Sequence, residues 1–275
     1  MLLSEALTLM GNVETAEFAL RGASGINCLF NDVEVGGIRF SCVNGLLIGK
    51  FKAVNEDPEV TAKLLSSALS LVSGCGFETY CVSVNSCMVN IPISASVTIS
   101  PGQAPEQMNI PTTHIPIIVW VSIGEIINLN EEELGRAVEL MGGLRNALRS
   151  PSPNKRRVVD GLLRVVRWWA LGDLDTDPVD KFLKFFVAFE MLASLMGYKG
   201  KSGDSWAEEF CNDYSLTCKF EGMSVNKIRN LIMHEPGEER ERAEEIARKH
   251  ADEFGREVLK ALWRALSEEL GVGMD

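Results

Sequence analysis

The sequence predicts an α+β protein: a β-rich amino-terminal part over residues 1–128, followed by an all-helical bundle over residues 129–275. Before about residue 125 the apolar residues alternate or come in short runs broken by glycine, which is the pattern of strands. From Asn130 onward they recur every three or four residues, which is the pattern of helices burying one face. A length of 275 residues leaves room for two ordinary domains, each with its own core.

Val13 to Leu20 reads as a strand. Ile38–Val43, then Asn44-Gly45, then Leu46–Phe51 has the form of a hairpin, because Asn-Gly supplies the two positive-φ residues of a type I′ turn. Pro58 to Val72 reads as a helix with Leu64, Leu65, Ala68, Leu69 and Val72 on one face. Thr79 to Ile99 returns to alternation, Ser100 to Pro111 is a loop, and Ile115 to Ile123 is a further strand.

The helical part opens at Asn130, which can cap a helix with Glu133 at its third position. Ser150-Pro151-Ser152-Pro153 breaks that helix, and a second runs from about Lys155 to Leu171. Asp177-Pro178 starts a third, rich in phenylalanine, that stops near Gly197. A short helix is expected over Ser205 to Asn212. Ser224 caps the next, which ends at Glu235-Pro236-Gly237, and a long final helix covers Glu238 to Leu270 with Gly271 just past its end.

The net charge of −11 argues against a broad surface for coating nucleic acid, which needs an excess of cations. The first 150 residues hold 15 acidic against 8 basic side chains and the remainder 23 against 19, so a polyanion would meet the second part first. The seven cysteines form no CxxC pair and have no histidine at zinc-ligand spacing, so neither a metal site nor a cofactor is expected. Cys81 and Cys87 have the spacing to share one side of a strand, and the favoured reading is a pair of small buried hydrophobes. No run of 18 apolar residues suggests a membrane span. Met1 to Met10 lacks a basic region and a cleavage site, so no signal peptide is read and the cytoplasm is the expected location.

The chemistry concentrates in Ser224 to His234. At about 100° per residue, Val225, Ile228, Leu231 and Ile232 share one sector. Asn230 and His234, four apart, project along one line away from that sector, and Arg229 sits at the border with the reach to swing toward His234. An arginine fork holds a phosphate and stabilises charge growing on it. A histidine moves protons near neutral pH. In RNA the 2′-hydroxyl is an internal nucleophile, so a base and a phosphate clamp suffice without a metal.

Arg229-Asn230-Leu231-Ile232-Met233-His234 resembles the Arg-x-x-x-x-His motif of the HEPN ribonuclease superfamily, including the polar residue after the arginine. Asp177 through Leu192 looks like the second core helix of its Apea-like branch, and Arg167-Trp168-Trp169-Ala170 like the end of the first. The resemblance covers roughly residues 154–270 and does not extend to residues 1–125. It implies Arg229 and His234 as catalytic residues of an endoribonuclease, Asn230 as their support, Glu190 as structural or site-supporting, and a homodimer with two motifs facing each other. It also implies single-stranded RNA as the substrate, in a toxin-like or defence setting. The acidic run from Glu235 to Glu245 departs from that picture, because it would repel RNA unless Arg240 and Arg242 offset it.

Plainer readings stand beside this one. His234 could close a helix whose carboxyl end favours a cation, and the domain could be a non-catalytic scaffold that binds RNA, a nucleotide or a protein. The β-rich part could carry a regulatory ligand or protein. His250 is expected to be packed among Ile246, Ala247 and Phe254, and His114 has no assigned role. Trp168 and Trp169 could stack bases, although helical spacing favours core for at least one of them.

Overall fold

A computed structural model describes residues 15–23, 25–53, 57–83, 126–198 and 205–271. The protein is α+β, with an antiparallel sheet followed by a helical part. Strands β1 (Thr15–Gly22), β2 (Ile26–Cys28), β3 (Val33–Val35), β4 (Ile38–Val43) and β5 (Leu46–Lys52) precede helix α1 (Pro58–Ser73). Then come β6 (Phe77–Ser83) and β7 (Ile127–Leu129). The five-stranded antiparallel sheet has the order β3-β4-β5-β1-β6. Its central hairpin forms as the turn chemistry dictates: Asn44 has φ 53° and Gly45 φ 76°, with Val43 opposite Leu46. The remainder of the stretch expected as strand to Ile99, the loop to Pro111 and the strand over Ile115 to Ile123 lie outside the described residues.

The helical part comprises α2 (Glu131–Leu148), α3 (Pro153–Asp173), α4 (Pro178–Leu195), α5 (Ser205–Tyr214), the two-residue strands β8 (Lys219–Phe220) and β9 (Met223–Ser224), α6 (Val225–His234) and α7 (Glu238–Leu270). Side chains set the boundaries. Asn130 and Glu133 form the expected capping box, Asp177 accepts from the amides of Val179 and Asp180, and Gly271 (φ 68°) ends α7. No helix among the described residues is long and apolar enough to cross a membrane.

One continuous apolar core runs from the sheet into the helices. Ala16, Phe18 and Leu20 alternate along β1 toward α1, whose Leu64, Leu65, Ala68 and Leu69 are buried. α1 also lies against α2. The indole of Trp263 donates to the carbonyl of Leu71 at 3.1 Å, and the amide of Gly76 donates to Asp173 at 2.6 Å, so α7 is tied to the last turn of α1 and α3 to the segment just after it. The boundary between residues 128 and 129 falls within β7, which pairs in parallel with β2 (Ile26 opposite Ile127).

Aromatic packing centres on α4. Phe182, Phe185, Phe186 and Phe189 recur at helical spacing and are fully or almost fully buried. Phe185 is held between two helices: a Cβ on Gly172 of α3 would lie 2.7 Å from its ring, and one on Gly255 of α7 would lie 2.5 Å away. Gly255→Ala is therefore expected to destabilise the protein by about 1–3 kcal/mol despite alanine's better helix propensity, because the trapped ring cannot retreat. Gly142→Ala in α2, where an added Cβ meets nothing within 4 Å, is expected instead to stabilise by up to about 1 kcal/mol. Denaturant melts of the two variants check the contrast.

The cysteine expectation is corrected. Cys81 is disulfide-bonded and not merely a small buried hydrophobe, and Cys87 lies outside the described residues. Cys28 pairs with Cys42 and Cys211 with Cys218, across Cα separations of 5.9 and 6.2 Å. The fold brings β2 beside β4 and turns the chain back after α5, and sequence spacing shows neither approach. Maleimide applied to the chain, unfolded without reductant, is expected to leave Cys28, Cys42, Cys211 and Cys218 unmodified until reductant is added. Labelling of any of these four before reduction would show thiols instead, whereas Cys75 labels in either case.

Candidate active site

Helix α6 starts where the tight β8–β9 turn ends. Glu221 (φ 49°) and Gly222 (φ 80°) make the turn, and the hydroxyl of Ser224 caps the helix by accepting from the amide of Lys227 at 3.2 Å. The turn is pinned to α7. The ring of His250 stacks on Phe220 at 4.8 Å, with Nε2 3.4 Å from Glu221 and Nδ1 2.9 Å from Glu253. Lys249 also donates to Glu221 at 2.5 Å, and this hydrogen bond, with that from His250, holds the Glu221 carboxyl below its ordinary range. His250 is thus packed, as its neighbours in sequence suggest, and its role is to anchor the turn that aims α6.

Val225, Ile228, Leu231 and Ile232 are buried and seat α6 against α7 and α4. The opposite side is open. His234 is the last residue of the helix; the chain then leaves through an extended Glu235, and Gly237 (φ 84°, ψ −155°) makes the corner into α7. Such a backbone is readily adopted only by glycine.

The three residues singled out by spacing come together. Arg229 Nη1 donates to Asn230 Oδ1 at 2.9 Å and lies 3.5 Å from His234 Nε2. Asn230 and His234 are exposed and Arg229 is half-buried. An arginine has no lone pair to accept with, so a hydrogen bond across this contact needs an imidazole nitrogen with its lone pair free.

The sequence reading missed the support under the arginine. The guanidinium carbon lies 5.8 Å from the ring centre of Phe186 on α4, within cation–π range. Phe186 has the spacing of an ordinary core residue, and nothing in the sequence distinguishes it from Phe182 or Phe189. Glu190, one helical turn beyond Phe186, is exposed.

The acidic run after the motif has a structural use. Glu238, Glu239 and Glu241 occupy the first turn of α7, where carboxylates complement the helix dipole. Glu244 receives Arg240 at 2.8 Å and Arg248 at 3.0 Å; the Arg240 hydrogen bond is the main cause that holds its carboxyl below the usual value. Arg240 thus offsets part of the run, as the sequence allowed.

Concave regions among the described residues lie elsewhere. A cleft of about 660 Å³ is lined by Asn27, Asp32, Ser41 and Asn44 around the Cys28–Cys42 bridge. A smaller one, about 330 Å³, lies between Thr61 and Leu64 of α1 and Arg145 and Leu148 of α2. Among the described residues no group of three or more His, Cys, Asp or Glu side chains is gathered to hold a metal ion. Comparison with known families, with curated proteins and with solved structures finds no match to this chain.

Proposed function

We propose that the protein is a metal-independent endoribonuclease that cleaves single-stranded RNA with Arg229 and His234, supported by Asn230, at the interface of a homodimer formed through the helical part. The observation that carries this reading is the 3.5 Å approach of an arginine fork to an exposed imidazole at an open helix end. The resemblance of residues 154–270 to the HEPN ribonucleases points the same way.

In the proposed reaction Nε2 of His234 takes the proton of a 2′-hydroxyl, and the freed oxygen attacks the adjacent phosphorus. Arg229 holds the non-bridging oxygens as negative charge accumulates on them. The bond from phosphorus to the 5′-oxygen breaks, and His234 of the other copy, in its protonated form, gives its proton to the leaving oxygen, after which exchange with water restores both rings. The products are a 2′,3′-cyclic phosphate and a 5′-hydroxyl. Met233, an exposed apolar residue beside His234, is suited to the contact between copies.

The test is incubation of the purified chain with single-stranded RNA in EDTA, with the new ends identified. Cyclic-phosphate and 5′-hydroxyl ends support the proposal, and 3′-hydroxyl ends contradict it. A non-catalytic RNA-, nucleotide- or protein-binding scaffold is the second reading. It is favoured by the exposed Glu235, Glu238, Glu239 and Glu241 beside the motif, and folded dimers that cut at no pH would select it. A regulatory ligand of the β-rich part is proposed for the cleft around the Cys28–Cys42 bridge. The cytoplasm is the proposed location, although disulfides persist best in oxidising compartments.

A further inference from the structure

Within a chain of net charge −11, residues 145–167 hold seven basic side chains and one acidic. Helix α3 sorts most of them onto one face. Val158, Val159, Leu162, Val165, Val166 and Trp169 are buried, and the indole of Trp169 donates to the carbonyl of Gly255 at 2.8 Å. At 100° per residue, Arg156, Arg157, Arg164, Arg167 and Trp168 fall within a sector of about 120° on the other side, and all five are exposed. Trp168 follows Arg164 by four residues, so the two side chains are neighbours on the surface. The two tryptophans thus divide, one into the core and one onto the cationic face.

Two features separate this face from an ordinary solvated one. About half of the described cations elsewhere are in ion pairs, as Arg240 and Arg248 are with Glu244, Lys249 with Glu221, and Arg264 with Glu268. On α3 the only ion pair among the described residues is Arg164 with Asp160 at 2.7 Å, and Arg157 reaches merely the amide oxygen of Asn154. The second feature is position. The first turns of α2 and α7 carry three glutamates each, as the helix dipole favours, but the first turn of α3 has none; Lys155 and Arg156 stand there and Arg157 follows. Cations at that end work against helix stability. An anionic partner gives them a use.

We infer that the solvent face of α3, formed by Arg156, Arg157, Arg164, Arg167 and Trp168, binds the phosphate backbone of single-stranded RNA and stacks a base on Trp168. Guanidinium forks match phosphate oxygens, and an exposed indole offers a ring face to any base. From Arg156 to Trp168 the helix rises about 18 Å, room for a few successive phosphates of a single strand to meet its arginines. The choice of RNA rests on the proposed ribonuclease reading, and the face would feed that site with substrate.

The test uses the full chain and a fluorescein-labelled 2′-O-methyl oligouridylate of about 20 nucleotides, longer than the face, that offers no free 2′-hydroxyl for cleavage. Between about 50 and 200 mM salt, three or four phosphate contacts predict a log–log affinity slope of about −2 to −3. The double variant Arg156→Gln/Arg157→Gln should lower that slope by about 1.4 with the melting temperature unchanged or raised. Trp168→Ala should weaken binding about tenfold at an unchanged slope, and Trp168→Phe should recover most of the loss. An unaltered slope in the double variant, or preference for phosphatidylserine vesicles over the oligonucleotide, would overturn the inference. Binding as predicted without cleavage of ordinary RNA would remove the ribonuclease reading alone. Cleavage of a dinucleotide without binding of the oligomer would remove this inference alone.

Discussion

Arg229→Ala and His234→Ala are each expected to lower cleavage of single-stranded RNA by about a hundred- to ten-thousand-fold, with the fold intact. Both losses follow from the division of labour at the end of α6. His234 is exposed and is no part of the core, so its removal takes away the proposed proton acceptor and little else. Arg229 lies over Phe186 and holds Asn230 at 2.9 Å, and its removal takes away the charge proposed to meet the phosphate. Arg229→Lys keeps the charge but not the planar fork, and most of the loss should persist. Asn230→Ala should cost less, about tenfold, because its amide orients a neighbour and carries no charge of its own. Far-UV circular dichroism and melting curves establish that the variants are folded. Equal cutting by the parent and both alanine variants would assign the activity to a contaminant.

The largest expected effect on stability is at Phe189. Its ring is fully buried and meets Phe210 at 5.3 Å, Trp206 at 5.6 Å, Phe254 at 5.7 Å and Phe186 at 6.0 Å between ring centres. These partners come from α5, α7 and α4 itself, so one side chain joins three helices. Phe189→Ala should cost about 3–5 kcal/mol, because it deletes the buried ring and leaves a cavity that several rigid rings cannot close. The melting temperature should fall by roughly 6–20 °C at about 2–4 °C per kcal/mol. Phe189→Leu should cost much less, since most of the volume remains. A loss below about 1 kcal/mol in the alanine variant would mean that the helices reclose around the gap.

Elements whose ends are written in side-chain chemistry were legible in the sequence. Asn44-Gly45 specifies a turn, Asn130 with Glu133 a helix start, Asp177-Pro178 another, and Gly271 an end. The convergence of Arg229, Asn230 and His234 was legible for a related reason: positions one, four and five apart on a helix have fixed directions. Contacts between elements were not. Strands β2, β3, β7, β8 and β9 are two or three residues long, too short for alternation to show. The partners of Cys28 and Cys211, and Phe186 beneath Arg229, depend on which helix or strand lies alongside, and spacing within one element is silent on that.

The pairing of β2 with β7 has a practical consequence. A fragment beginning at residue 129 would strip Leu129 of its strand and leave the buried face of α2 without α1 to cover it. Expression of either half alone would then yield aggregation-prone material, and useful truncations must keep the strand and both helices together. The same joint means that heating should melt sheet and bundle in a single cooperative step, so that anything stiffening one would be felt by the other.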